Sequence, residues 1–471
     1  MSRATVIGAG LAGCEAALQL ARAGVEVTLI EQKPARRSPA HHADTFAELV
    51  CSNSLKARRL ESAAGLLKEE MRRLGSICIE SALQCAVAAG GALAVDREVF
   101  SALITQAVRQ HPGIRVVCRE CESIPEEGIC IVATGPLTDG ALSQDIARRL
   151  GRGYLSFYDA AAPIVTAESV DMASAFAASR YERGEGDGDY LNCPMNREEY
   201  ETFYDALVAA ERVELKEFER AQENDCGVPG DSAQPQQQKA EPTVYEGCMP
   251  IEIMARRGKD TIRFGPLKPV GLRDPRTGHR PWAVVQLRRE NAAGSLYNLV
   301  GFQTNLKFSE QKRVFSLIPA LHDAEFMRYG VMHRNTFLDS PRLLDASYAL
   351  RDDSRIFFAG QITGVEGYME SASSGILAGL NAARALAGQS PFVPPRTTMM
   401  GALCRYISDP GVKDFQPMGA NFGVLPPLEA HIRDKRERYG ALAARALEDL
   451  EGAMREAGLS SAVGTRVEQE I

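Results

Sequence analysis

Cys51 is followed by Ser52, Asn53 and Ser54 and then by Lys56. A thiol beside polar donors and a cation can be held as a reactive thiolate. The same residue can also be a packing cysteine at a helix start, and the local sequence leaves both readings open. Cys248 lies between Gly247 and the pair Met249 and Pro250, in a stretch whose composition predicts a tightly turned backbone. Cys226 falls in the Gln/Pro/Gly/Ser-rich segment 221–242, where a catalytic group could not be held in register. Cys118 and Cys121 form a CxxC, but no second pair or nearby histidine completes a zinc set, so they read as strand and turn residues. Adjacent histidines such as His41 and His42 diverge, and loop contacts are the simpler role. No metal site is expected.

Between Met254 and Arg289 lie ten basic residues, Arg256, Arg257, Lys259, Arg263, Lys268, Arg273, Arg276, Arg280, Arg288 and Arg289, opposed only by Asp260 and Asp274. In a chain of net charge −7 this concentration suits a phosphate-bearing partner. The alternative is a solvated rim whose charges pair with acids elsewhere. The overall charge speaks against indiscriminate nucleic-acid binding.

These groups need a scaffold, and three glycine-rich pieces supply one. Thr5, Val6 and Ile7 enter GAGLAG at 8–13, a small-residue helix follows over 14–23, and a second apolar strand over 25–30 ends on Glu31. Gly8 permits the tight turn, Gly10 lets the backbone approach a pyrophosphate, and Gly13 lets helix and strand pack closely; Ala9, Leu11 and Ala12 complete the turn. The phosphates would rest on the helix N-terminus, and Glu31 would accept from a ribose 2′-OH. The second piece is a strand over 128–134 closing on ATGP, with Thr134 and Gly135 beside the first turn. The third is the strand RIFFAG at 355–360, followed by Gln361, a turn through Gly364 and a small-residue helix. Gly360, Gln361 and Gly364 then belong to the cofactor site. The two distant halves together favour FAD over NAD. No second GxGxxG follows a strand, so a reductant such as NADPH or NADH would have to enter the flavin pocket directly.

The predicted fold is therefore α/β, a split Rossmann-like FAD-binding domain with an inserted α+β substrate domain. The expected boundaries are 1–150 and 340–471 for the FAD domain, with C-terminal helices, and 151–339 for the insertion, carrying a flexible loop at 221–242. Amphipathic helices are expected over 63–74, with Glu69 and Glu70 set against Arg73, and over 96–108; residues 198–220 also read as helical. The loops 295–338 contain VGFQTNLKF and YGVMHRNTF, polar-aromatic stretches suited to a pocket wall. Hydrophobic residues make up 45% and no apolar run approaches the roughly 20 residues of a membrane span. A strand begins two residues in, leaving no room for a signal peptide, and the odd cysteine count argues for reduced thiols, so the chain reads as cytoplasmic.

With these pieces placed, the chain resembles the TrmFO family, folate- and FAD-dependent tRNA (uracil-5-)-methyltransferases and relatives of the GidA-type flavoproteins. The resemblance is nearly end to end. Its blocks include PAHHADTFAELVCSNSLK at 39–56, GLLKEEMRRL at 65–74, ATGPLT at 133–138, YEGCMPIE at 245–252, RFGPLKPVGLRDPRTG at 263–278, GFQTNLK at 301–307, YGVMHRNTF at 329–337, FFAGQITGVEGYMESASSG at 357–375 and FQPMGANFG at 415–423. The segment 221–242 departs from the pattern. The resemblance implies formation of 5-methyluridine at position 54 in the T loop of tRNA. The carbon would come from 5,10-methylenetetrahydrofolate, with reduced FAD as reductant and NADPH or NADH regenerating it. It also carries the family's two functional cysteines onto Cys51 and Cys248. Uracil C5 is a poor nucleophile until a thiolate adds at C6, which explains the need for a cysteine. The assignment taken is Cys248 as the group adding to C6 and Cys51 as the group acting at the flavin or as acid/base. The basic run becomes a tRNA-contacting face, and the target base is expected to leave its stack. Neither a membrane nor an obligatory protein partner is expected.

The rival readings are a relative methylating ribosomal RNA, a GidA-type (MnmG) wobble-uridine enzyme, a small-molecule FAD oxidoreductase, and a flavin-containing RNA-binding protein without catalysis. The chain ends too early for the long C-terminal helical domain of the second.

Overall fold

The computed structural model describes residues 2–38, 40–151, 155–180, 189–213, 249–413 and 415–461. Cys226, the segment 221–242 and Cys248 lie outside the described residues. The chain divides into two compact units, 1–87 with 91–155 and 336–471, and 88–90 with 156–335.

The chain opens with β1 (Arg3–Ile7), α1 (Leu11–Arg22) and β2 (Glu26–Glu31). An irregular stretch among the described residues leads to β3 (Ser54–Ala57). Then come α2 (Ala63–Arg73), α3 (Ile77–Gln84), β4 (Ala86–Val87), β5 (Ala92–Val95), α4 (Arg97–Gln110), β6 (Ile114–Cys118), β7 (Ile129–Val132) and α5 (Gly140–Leu150). Ser62, Ser76 and Asp96 start α2, α3 and α4 by accepting from backbone N–H groups of the first turn. Helix α2 is more deeply buried than an amphipathic surface helix, with every residue from Gly65 to Met71 inside. Glu69 does pair with Arg73, at 3.1 Å. Glu70 points elsewhere, as described below.

In the second unit β8 (Leu155–Ala160) is followed by β9 (Ile164–Thr166), β10 (Phe176–Ala177), β11 (Leu191–Met195), α6 (Arg197–Ala209), α7 (Ile251–Arg256), α8 (Thr261–Phe264), β12 (Ala283–Arg289), β13 (Leu296–Leu299), α9 (Phe308–Phe315), β14 (Phe326–Arg328) and β15 (Met332–Phe337). A six-stranded antiparallel sheet runs in the order β10-β11-β12-β13-β9-β14. Its core includes Phe203, Phe302 and Phe315, the last two edge-on with centroids 5.2 Å apart. Asn196 and Glu199 close a reciprocal capping box at the start of α6. The helix stops at Ala209 because Arg212 bridges to Leu306 and Val213 N–H bonds to Asn305 O at 2.8 Å, extended pairings that a helix cannot make; the rest of the expected span, 214–220, lies outside the described residues.

The chain returns to the first unit with α10 (Ser340–Leu343), β16 (Ile356–Phe358), α11 (Tyr368–Leu386), α12 (Met399–Tyr406) and α13 (Lys435–Glu456). Strand β16 lies parallel beside β7 and completes a five-stranded parallel sheet in the order β16-β7-β1-β2-β6. The first unit is therefore a Rossmann-like α/β fold whose sheet uses strands from both ends of the chain. Helices α1 and α11 cross closely because a Cβ on Gly375 would stand 2.2 Å from Ala12 O, and one on Gly379 would stand 2.6 Å from Ala16 O. Among the described residues no helix is long and apolar enough to cross a membrane.

Candidate active site

The carboxyl ends of β1, β2 and β7 meet at a cavity, where an open parallel sheet presents its ligand site. Gly8, Ala9, Gly10, Leu11, Ala12, Glu31, Thr134, Gly135, Gly360 and Gln361 all line it. Gly13 and Gly364 do not. A Cβ on Gly13 would lie 1.8 Å from Gly8 O, so this glycine serves the close packing of helix on turn. Gly364 has φ +83°, and the Phe415 ring stands 2.4 Å from where its Cβ would be, so it shapes the loop from behind.

Gly8 needs glycine for two reasons internal to the protein: φ is +97°, and a Cβ would meet Ala133 O at 2.6 Å. Gly10 is different. Its φ of −73° suits any residue, and a Cβ there would meet nothing within 4 Å. It opens α1 with no side-chain cap and no acid in the first turn, leaving the helix N-terminus to an anion. At the end of β2, Glu31 accepts from Ala9 N–H at 2.7 Å through one oxygen and from Lys33 N–H at 2.9 Å through the other. This ties the second strand's acid to the glycine turn and leaves lone pairs for a sugar hydroxyl. An open backbone slot, an uncapped helix N-terminus and an acid at the second strand's end fit a dinucleotide such as FAD.

The opposite wall comes from α11. Gly360 N–H donates to Ser374 Oγ at 2.7 Å, which pins the turn after β16 against the helix. Gln361 donates to the Glu366 carboxylate, so its amide is already oriented by the protein. Gly367, at φ +123°, starts α11 without a side-chain cap, and Tyr368 and Ser371 of the first turn reach the cavity.

Cys51 is half-buried in the loop before β3 rather than at a helix start. It is not itself a lining residue, but its neighbour Val50 is, and so is the residue that holds it. The Tyr368 hydroxyl accepts from Cys51 N–H at 2.7 Å and from Ser52 N–H at 3.1 Å. Burial pushes the Tyr368 phenol well up, with the nearby Cys51 thiol adding to the shift, so it stays protonated. Arg97 donates to Leu49 O at 2.6 Å and fixes the loop from its other side. Lys56, at φ +64°, places its ammonium 2.7 Å from Glu370 Oε1, an oxygen that also accepts from Ala420 N–H at 3.0 Å. Below it, Lys68 donates to Ala57 O and Ala64 O, and its burial draws the ammonium down to about 8. Tyr368 and Glu370 were not singled out from sequence, although their place in the first turn after a glycine-rich loop was the available signal. His41 hydrogen-bonds Ser38 Oγ through Nδ1 at 2.6 Å and is pushed toward the neutral form by burial, a loop contact as expected.

The second unit carries the basic stretch. Some of its cations pair with acids: Lys259 with Glu201 at 3.2 Å, Arg263 with Asp260 at 3.5 Å and Arg276 with Asp274 at 2.7 Å. Among the described residues Arg256 donates to a backbone carbonyl, Val208 O. Lys268, Arg273 and Arg280 are exposed and face no carboxylate within ion-pair distance among the described residues. A rim fully neutralised by its own acids is therefore not what the structure presents.

Comparison with known proteins places the chain among relatives. The family model for glucose inhibited division protein A matches residues 3–390. A protein of Acetivibrio thermocellus named methylenetetrahydrofolate--tRNA-(uracil-5-)-methyltransferase TrmFO is 58% identical over 445 residues, spanning 94% of this chain and 97% of the relative. One of the same name from Heliobacterium modesticaldum is 58% identical over 452 residues, 96% and 98% of the two chains. Among solved structures, GidA of Aquifex aeolicus superposes with a TM-score of 0.65 at 16% identity, over 98% of this chain and 74% of that one, a likeness of fold.

Proposed function

The chain belongs to the glucose inhibited division protein A family and, within it, to the TrmFO methyltransferases, and from that premise we propose that it makes 5-methyluridine in tRNA. The carbon donor is 5,10-methylenetetrahydrofolate. Bound FAD supplies the two electrons that turn a methylene into a methyl group, and NADPH or NADH restores them. The T-loop uridine at position 54 is the target, and the enzyme works without an obligatory protein partner.

The observation that carries this reading is the tie between Cys51 and the cavity wall, through Tyr368 at the start of α11. It supports a thiol kept next to a flavin rather than one buried for packing. Residues Gly8 to Ala12, Glu31, Thr134, Gly135, Gly360 and Gln361 would hold FAD, with Gly13 and Gly364 shaping the turns behind them. In the thiol chemistry a sulfur adds to uracil C6 and C5 attacks the donor carbon. C5 then loses its proton as the donor nitrogen departs, leaving a methylene on C5; a hydride that bound reduced FAD would supply turns it into methyl, expelling the thiolate from C6 and restoring the C5–C6 double bond. Cys248 is assigned the addition, since it precedes the basic stretch in sequence, and Cys51 acts at the flavin or as acid/base.

The test is an assay with unmodified tRNA, FAD, methylenetetrahydrofolate and NAD(P)H that reads out 5-methyluridine. Methylation of a ribosomal RNA transcript instead, or of neither RNA, would overturn the proposal. For the two cysteines, a covalent complex with 5-fluorouridine tRNA should survive Cys51→Ala and be lost in Cys248→Ala. The reverse pattern exchanges their roles.

A further inference from the structure

The second unit contains a cleft of ≈ 620 Å³ lined by Asn196, Arg197, Arg263, His279, Arg280 and Trp282, among others. Its cations are arranged on a prebuilt frame. Asp274 accepts from Arg276 N–H at 2.9 Å and from the Arg276 guanidinium at 2.9 and 2.7 Å, while its carbonyl accepts from Thr277 N–H and Gly278 N–H. Asp274 N–H in turn donates to His279 O at 3.0 Å, which closes the loop on itself. Arg276 also donates to Ala173 O, so it serves the frame and is not available to a ligand. The indole of Trp282 carries the Arg263 guanidinium at 3.7 Å, and Arg263 Nε donates to Trp282 O at 3.0 Å. Arg197 lies over the same ring at 5.4 Å.

Charge in the cleft does not balance. The two lining carboxylates are engaged, Glu199 with Asn196 N–H in the capping box and Asp274 with Arg276. One oxygen of Glu201 must answer both Arg197 at 3.0 Å and Lys259 at 3.2 Å. Arg280, exposed at the mouth, has neither a hydrogen bond nor a carboxylate within ion-pair distance among the described residues. A loop closed on itself by hydrogen bonds that presents the unpaired Arg280 guanidinium loses little conformational freedom on binding an anion. Two guanidinium groups lining one cleft, those of Arg280 and Arg197, suit phosphate oxygens.

Resting on the reading of tRNA as substrate, we propose that this cleft grips a phosphodiester group of the tRNA backbone, with Arg280 and Arg197 as the contacting side chains and Trp282 as the positioning residue that holds Arg197 and Arg263 in line. Such a contact orients the RNA and carries no base readout.

The experiment is equilibrium binding of unmodified tRNA transcript to the flavin-loaded enzyme over a salt series. Arg280→Gln and Arg197→Gln should each flatten the plot of log affinity against log salt by about one, and weaken binding about three- to tenfold at fixed salt. Trp282→Leu should weaken binding in the same direction. Flavin content in each variant reports folding of the first unit, and thermal unfolding followed by circular dichroism reports on the whole chain. Wild-type slopes and affinities in both arginine variants would overturn the cleft assignment while leaving tRNA methylation standing. A raised KM for NADPH with unchanged tRNA binding would also overturn it, by giving the cleft to a dinucleotide phosphate. A wild-type enzyme that neither binds nor methylates tRNA would remove the functional reading itself, and this proposal with it.

Discussion

The hydroxyl of Tyr368 holds the backbone of Cys51, 317 residues earlier in the chain, by accepting its N–H at 2.7 Å. Because it also accepts from Ser52, one phenol sets two successive peptide planes of the loop that carries the thiol. Tyr368→Phe keeps the ring and removes this acceptor, at about 1–3 kcal/mol for each hydrogen bond lost. Flavin should still bind, since the cradle residues are untouched. The rate of 5-methyluridine formation at saturating substrates should fall by one to two orders of magnitude, roughly, as the thiol loses register. Flavin content and single-turnover methylation, measured together, check this. Loss of both in parallel would mean that Tyr368 acts only on cofactor binding.

Glu70 stands at the N-terminus of α12, accepting from Met399 N–H at 2.7 Å and from Met400 N–H at 2.8 Å. Burial outweighs these two bonds and raises the carboxyl from its ordinary 4.5 to about 8. Between those values the unfolded chain has shed a proton that the folded chain keeps, so rising pH favours unfolding. The stabilisation is complete below about 4.5 and gone above about 8. Glu70→Gln cannot titrate. The stability advantage of the wild type over Glu70→Gln should therefore shrink from pH 5 to pH 8, by on the order of a few kcal/mol, in paired denaturation curves. An advantage that grows with pH would mean that the two N–H bonds and the helix terminus dominate instead.

The same two carboxylates on α2 show what the sequence could and could not reveal. Glu69 and Arg73 are one turn apart, and their pairing is legible because both partners sit on one helix. Glu70 also looked like a surface partner for Arg73, but its bonds reach a helix 329 residues on. The site divides along the same line. Gly13 packs against Gly8 O and Glu31 accepts from Ala9 N–H within one strand–helix–strand unit, so these contacts follow from spacing, whereas the approach of Ala133 O to Gly8 does not. The tie from Tyr368 to Cys51, and the stacking of Arg263 and Arg197 on Trp282, depend on tertiary contacts that no local pattern encodes. The end of α6 has a related cause: Arg212 and Val213 follow a locally helical sequence but are taken up by pairing with Leu306 and Asn305.

In the second unit Glu252 joins α7 to the loop after β13. One oxygen accepts from Thr304 Oγ1 at 2.9 Å and the other from Asn305 N–H at 2.8 Å, and the side chain is 1% exposed. Burial raises its pKa, the two donors opposing the rise. Glu252→Ala would strand a hydroxyl and a backbone N–H in the interior, for a loss of about 2–4 kcal/mol, while Glu252→Gln retains one acceptor and should lose about half as much. Urea denaturation of the three proteins at one pH gives the comparison. Equal losses in both variants would assign the effect to packing rather than to hydrogen bonds.

Gly10 and Gly375 separate the needs of the fold from those of the ligand. At Gly375 a Cβ would be 2.2 Å from Ala12 O, so Gly375→Ala must push α11 away from α1. That overpacking should cost about 1–3 kcal/mol in the flavin-free protein and loosen the cavity wall as well. At Gly10 the same methyl meets no protein atom within 4 Å, and the backbone angles suit alanine. Gly10→Ala should therefore leave the flavin-free melting temperature unchanged, because nothing inside the chain opposes it. Only a pyrophosphate lying against the turn would, and flavin affinity should then fall by about tenfold or more. The flavin-free state is the one to melt, since bound cofactor itself raises the transition. A Gly10→Ala protein that retains flavin at wild-type affinity would show that the dinucleotide does not rest on this turn. A protein destabilised without its flavin would show that the fold, and not the cofactor, requires the glycine.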